Sequence, residues 1–328
     1  MPFMALRPRW PLVICGAGCV LVALHTAPSS STGFQRPGCY PGNTFCATFE
    51  SGWSPFTYLT GGRACHPVSS LGNRFQNRWF QRSGRVPAVQ GRNAFRSYVD
   101  DDATCQNGRR TKATTLATTR ASANPIKAYQ GSDYWYRFQI RFPSGFRPMP
   151  KTSWNWVMEA KNWPDSGCCS NLSLGVVTNR EDGGARSNPN GRLSLRVCGG
   201  GSSKGTVDGR DVCSERRVPS GYQRTWVTGP SVKRDHWYDV VLHVRWDYTS
   251  NGKVEWWLDG TRRYSGHSKT LYFYADKCST GSCPSGAQPG PGQTYLHLGY
   301  YRSAASYPGQ SVYYDAATAG PTRASIGG

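Results

Sequence analysis

Acidic residues are scarce in this 328-residue sequence: 19 Asp and Glu stand against 39 Lys and Arg, a formal charge of +20. Its glutamates are Glu50, Glu159, Glu181, Glu215 and Glu255, and no Glu-x-Asp-x-x-Glu run occurs. A retaining glycosidase needs two carboxylates about 5 Å apart, so that reading is poorly supplied. No Cys-x-x-Cys pair stands beside a pair of histidines, which argues against zinc. There is no dense basic tail and no RNA-binding signature, so nothing selects nucleic acid as a partner. After residue 27 no apolar run is long enough for a membrane-spanning helix, and no membrane partner is expected. Internal repeats and long helical patterns are missing too.

What is abundant points to strands and turns. The chain holds 38 Gly, 22 Pro, 12 Trp, 18 Tyr and 12 Phe, a composition that predicts an all-β protein. Positive charge is dispersed along the predicted strands, which suits an anionic polysaccharide with regularly spaced carboxylates or sulfates. Residues 1–27 read as a secretory signal peptide: Arg7 and Arg9 precede the apolar run Pro11 to Leu24, and Ala27 offers a cleavage point. Residues 28–45 form a Ser/Pro/Gly-rich N-terminal lead, and 46–328 a single domain. Beyond Cys15 and Cys19 an even ten cysteines remain, which in an exported chain implies about five disulfides. Cys39/Cys46 and Cys278/Cys283 are near enough to close their own loops. A secreted monomer is expected.

Period-two patterns mark about ten short strands. Tyr134 to Phe142 puts Tyr134, Tyr136, Phe138, Ile140 and Phe142 on one face, with Trp135, Arg137, Gln139 and Arg141 on the other. Trp237 to Asp247 alternates Val240, Leu242, Val244 and Trp246 with Asp239, His243, Arg245 and Asp247. Ser250-Asn-Gly252 turns it back into Val254 to Leu258, and Asp259-Gly260 turns again. Trp154 to Trp163 groups Val157, Glu159, Lys161 and Trp163; Thr111 to Thr118 follows Arg110, with Arg110, Lys112 and Thr114 on one face. Such spacing predicts a sandwich or jelly roll.

One strand carries the chemistry. In Tyr295-Leu-His-Leu-Gly-Tyr-Tyr-Arg302, Leu296, Leu298 and Tyr300 share an apolar face while His297, Gly299 and Tyr301 share the other. An imidazole and a phenol two pleats apart, separated by glycine, suit the floor of a cleft.

Four segments, in order, resemble the jelly-roll polysaccharide lyases related to alginate lyase, glucuronan lyase and the smaller heparin lyase. They are Ser132-Asp-Tyr-Trp-Tyr-Arg-Phe-Gln-Ile-Arg-Phe-Pro143; Trp237-Tyr-Asp-Val-Val-Leu-His-Val-Arg-Trp246 with Gly252 and Trp257-Leu-Asp-Gly260; Tyr295 to Arg302; and Val312-Tyr-Tyr-Asp315. The resemblance implies a concanavalin A-like β-sandwich and a catalytic acid/base at Tyr301. It matches the family's usual Gln-x-His pair to Glu159-x-Lys161, its signature-strand lysine to His297, and its Arg-x-Glu element to Arg110-Thr-Lys112. Cleaving a uronate polymer by β-elimination requires a neutralised C5 carboxylate, a base for the C5 proton and an acid for the departing O4. A tyrosine serves as both base and acid if neighbouring cations lower its pKa from about 10. His297 and Lys161 supply that field; Arg110, Lys112, Arg137, His243, Arg245 and Trp163 are the candidate substrate-binding residues.

Blander readings stand beside these. Tyr301 could only stack on sugar in a non-catalytic, lectin-like module, and Glu159 with Lys161 could be a solvated cross-strand ion pair. His243 and Arg245 could simply face water. Trp154, Trp156 and Trp163 are sugar platforms or core. No cofactor is required, although Asp100-Asp101-Asp102 invites calcium, and Asn171-Leu-Ser173 is a glycosylation sequon.

Overall fold

A computed structural model describes residues 34–50, 58–61, 66–67, 80–82, 88–99, 108–114, 128–148, 155–163, 170–178, 190–202, 206–207, 210–211, 222–274, 290–291, 293–303 and 308–328. Among them are twenty strands, numbered here in chain order. One sheet runs β16 (Thr261–His267), β15 (Lys253–Leu258), β14 (Trp237–Arg245), β7 (Asp133–Arg141), β20 (Gln310–Gly320), β5 (Asn93–Val99) and β4 (Phe80–Arg82), with β1 (Phe45–Ala47) paired to β20.

The second sheet has ten strands. It runs β18 (Gly290–Pro291), β17 (Tyr272–Tyr274), β10 (Arg192–Ser202), β9 (Leu172–Val177), β8 (Asn155–Trp163), β19 (Gln293–Ser303), β6 (Gly108–Thr114), β2 (Tyr58–Gly61) and β3 (His66–Pro67). β13 (Tyr222–Ser231) pairs with β10, and β11 (Thr206–Val207) with β12 (Arg210–Asp211) form a separate ribbon. Pairing is antiparallel except where β17 meets β10. The expected turn at Asp259-Gly260 joins β15 to β16, both residues having the positive φ that such two-residue turns require.

The inner faces of the two sheets meet in a single apolar cluster. Phe95, Phe138, Ile140, Val240, Leu242 and Tyr314 come from the first sheet; Leu174, Leu195, Leu296, Leu298 and Tyr300 come from the second. This is the all-β sandwich, a jelly roll, that the alternation predicts. Tyr314 secures one sheet to the other by donating its hydroxyl to the Val157 carbonyl at 2.7 Å. Among the described residues no helix is long and apolar enough to cross a membrane.

From Phe34 onward the residues expected as a lead belong to the same compact unit as 46–328. Cys46 of β1 is bonded to Cys39, and Phe34 packs edge-on against Trp257. Two expectations change: Val157, which period two places with Glu159 and Lys161, lies in the core, because the β8/β9 register slips between Trp156 and Met158. Asn171 is buried and donates its amide to the Thr270 carbonyl at 2.9 Å, so its side chain is no glycan acceptor. The stretch expected as a signal peptide, residues 1–27, and Asp100–Asp102, Trp154 and the expected Cys278/Cys283 pair lie outside the described residues.

Candidate active site

The pleat of β19 sorts its residues as the sequence indicates. Leu296, Leu298 and Tyr300 join the core; Tyr295, His297 and Tyr301 take the outer face of the ten-stranded sheet. Tyr301 is partly exposed, and His297 is 8% exposed beneath Tyr295, whose ring centre is 4.9 Å away. Between them Gly299 adopts φ 144°, a backbone state open mainly to glycine. There the pairing with β8 slips by a residue. Such a bulge re-aims the side chains that follow it, here Tyr301.

Pairing brings the other expected residues alongside. Glu159 lies directly across from His297, and Lys161 across from Tyr295. On the other flank, Arg110 stands in register with Tyr301 and Lys112 with Gly299. In the β8/β19 pair, cross-strand partners project from the same face. Glu159 is 3% exposed and accepts a hydrogen bond from the Ser170 hydroxyl at 2.7 Å. Trp163, at the end of β8, is in register with Gln293.

The same face continues through Trp156, read from the sequence as a sugar platform or core residue, to Arg196 and Trp226, which sequence reasoning did not single out. Trp156 pairs with Tyr301 on one side and Gly175 on the other. A Cβ at Gly175 would stand 2.5 Å from the indole and 2.7 Å from the Asn155 carbonyl oxygen. Glycine there lets the ring lie across β9. It reaches Trp226, stacked at 5.8 Å, and Arg196, whose guanidinium carbon lies 4.2 Å from the Trp156 ring centre and 5.7 Å from that of Trp226. Arg196 also donates to the Ser173 hydroxyl at 3.0 Å. The available signal was Ser194 and Arg196 alternating with Leu193, Leu195 and Val197.

Charge on this sheet is one-sided. Among the described residues Glu159 is the only acid in the strands of the ten-stranded sheet, against Arg110, Lys112, Lys161, Arg196 and Arg224 at outer-face positions.

Three expected substrate-binding residues are not brought here. Arg137, His243 and Arg245 belong to β7 and β14 of the opposite sheet. Arg137 is buried, bonded to both Asp239 oxygens at 2.9 and 2.8 Å and to the carbonyls of Gln35 and Ile326. His243 stacks on Trp135 at 4.2 Å and bridges Glu255 and Asp133. Interior tyrosines are unsuited to proton transfer: burial pushes the Tyr136 and Tyr314 phenols well above their ordinary value. Among the described residues no cluster of three or more His, Cys, Asp or Glu could hold a metal ion.

Several solved structures are similar to this chain. An endo-β-1,4-glucuronan lyase from the fungus Trichoderma reesei is 15% identical with a TM-score of 0.48, covering 82% of this chain and 97% of that one. An alginate lyase is 12% identical at TM-score 0.45, covering 87% and 95%. A GH131 β-glucanase catalytic domain from Podospora anserina is 16% identical at TM-score 0.42, also covering 87% and 95%. No curated protein matches the sequence. Residues 72–318 match the polysaccharide lyase family, a span that holds the strands carrying Arg110, Glu159, His297 and Tyr301, and the chain belongs to that family.

Proposed function

We propose that the protein is a secreted lyase that cleaves a uronate-bearing polysaccharide by β-elimination, with Tyr301 as acid and base. The observation that carries this is the register that sets Tyr301, His297, Glu159 and Lys161 on one outer face, flanked by Arg110 and Lys112. The cations neutralise the C5 carboxylate of the sugar and favour the ionised phenol. Tyr301 takes the C5 proton, the electron pair forms the C4–C5 double bond, and the C4–O4 bond breaks. The same proton then passes from Tyr301 to O4. Glu159, anchored by Ser170, orients His297 or a sugar hydroxyl. A single acid across ten strands counts against two-carboxylate hydrolysis.

The test is ultraviolet absorbance during incubation with glucuronan, alginate, pectate, heparin-type and chondroitin-type chains. Elimination conjugates the new double bond to the carboxylate, so absorbance rises on the true substrate. Reducing ends without absorbance would mean a hydrolase. Binding without cleavage would mean a lectin-like protein on a lyase scaffold.

A further inference from the structure

The row that holds His297 and Glu159 does not stop there. Register carries it from His297 to Glu159, to Ser173, to Arg196 and to Trp226 across five neighbouring strands. Strands are spaced about 4.8 Å apart, so β10 lies roughly 14 Å from β19. An extended sugar chain crossing the strands advances about one residue per strand. Near the far end of that row a guanidinium lies 4.2 Å from the Trp156 ring centre and beside the stacked Trp226, on a sheet short of acid.

We propose that Arg196, held by Trp156, Trp226 and Ser173, binds a carboxylate of the polymer several sugar residues from the bond that is cut. This rests on the reading of the protein as a lyase of uronate polymers, and it makes the site a multi-residue groove. Three features argue for a receptor. The Trp156 ring packs against the guanidinium at 4.2 Å, holding in place a planar fork matched to a carboxylate. The Ser173 bond fixes its rotation. Trp226 and Arg196 are both partly exposed, so an aromatic face for the sugar ring sits beside the charge for its carboxylate. Gly175 is the enabling residue, because any larger side chain would lift Trp156 off the sheet.

The test measures binding of glucuronan and alginate oligomers, two to eight sugars long, to the full chain by calorimetry, with neutral cello-oligomers as controls. Wild type, Arg196→Met and Arg196→Lys are compared, each also assayed for unsaturated product on polymer. Arg196→Met is expected to weaken the longer acidic oligomers about tenfold to a hundredfold, the range for a charge-assisted contact. Acidic dimers and neutral oligomers should stay within about twofold, and kcat/KM on polymer should fall in step with the lost affinity for longer oligomers. Arg196→Lys keeps the charge but loses the fork and should fall between. Equal losses on dimers and octamers, equal losses on neutral chains, no loss at all, or a wild type that binds no acidic oligomer would each overturn the proposal. Length-dependent loss without any unsaturated product would sink the lyase reading and leave Arg196 standing. Product with length-independent loss would do the reverse.

Discussion

Glu159 and His297 face each other across the β8/β19 pair, the acid nearly fully buried and bonded to Ser170. A buried carboxylate with a hydroxyl donor is costly to strand. Glu159→Gln keeps an acceptor for Ser170 and should fold normally, while turnover falls about tenfold to a hundredfold as the charge beside His297 is lost. Glu159→Ala removes the acceptor as well and should destabilise by about 1–3 kcal/mol. Thermal unfolding with initial rates separates the two; equal rates for wild type and Glu159→Gln would remove Glu159 from the mechanism.

Gly175 and Trp156 make a second pair. Gly175→Val places atoms where the indole and the Asn155 carbonyl already are. Overpacking of this kind typically costs about 1–3 kcal/mol. The variant should unfold at lower temperature and bind oligouronates more weakly, because the Arg196 seat moves with Trp156. Unchanged stability and binding would show that β9 accommodates the side chain.

Arg137 separates structure from function. Its bonds to Asp239, Gln35 and Ile326 fasten the segments around Gln35 and Ile326 to the outer face of the eight-stranded sheet. Arg137→Met should destabilise by about 3 kcal/mol and leave kcat per folded molecule unchanged. Selective loss of KM or kcat without loss of stability would return Arg137 to substrate binding.

Asp315 predicts a pH signature. Burial pushes its carboxyl up to about 6, against backbone hydrogen bonds from Gln90, Ala316 and Val89 that pull it down. A folded pKa above the unfolded one means the fold prefers the protonated form. On this residue's account stability is full below about pH 4 and declines as pH rises to about 6, then levels. Melting temperatures of wild type minus Asp315→Asn should fall across that window. A flat difference would contradict the assignment.

The sequence made some of this legible and hid the rest for physical reasons. Strand alternation is local, so the two faces of β19, β7 and β14 could be read directly, as could the turns at Gly252 and Asp259-Gly260. Burial of Arg137 could not, since its cover comes from Phe34, Gln35 and Ile326, each about a hundred residues or more away in sequence. The same holds for sheet membership: alternation marks His243 and Arg245 as a polar face without saying which sheet owns it. Arg196 and Trp226 escaped notice because their meeting depends on the β10/β13 pairing and on a glycine in a third strand. The slip at Val157 is likewise a property of β8 against its neighbours, invisible in the strand alone.

The central claim is that Tyr301 moves the proton, and Tyr301→Phe tests it most directly. The variant removes one hydroxyl and keeps the ring that would stack on sugar. On the polyuronate that wild type cleaves, kcat should fall by about 10²–10⁴ while oligomer binding stays within about threefold. Turnover retained within tenfold of wild type would contradict the account and leave Tyr301 as a wall of the groove.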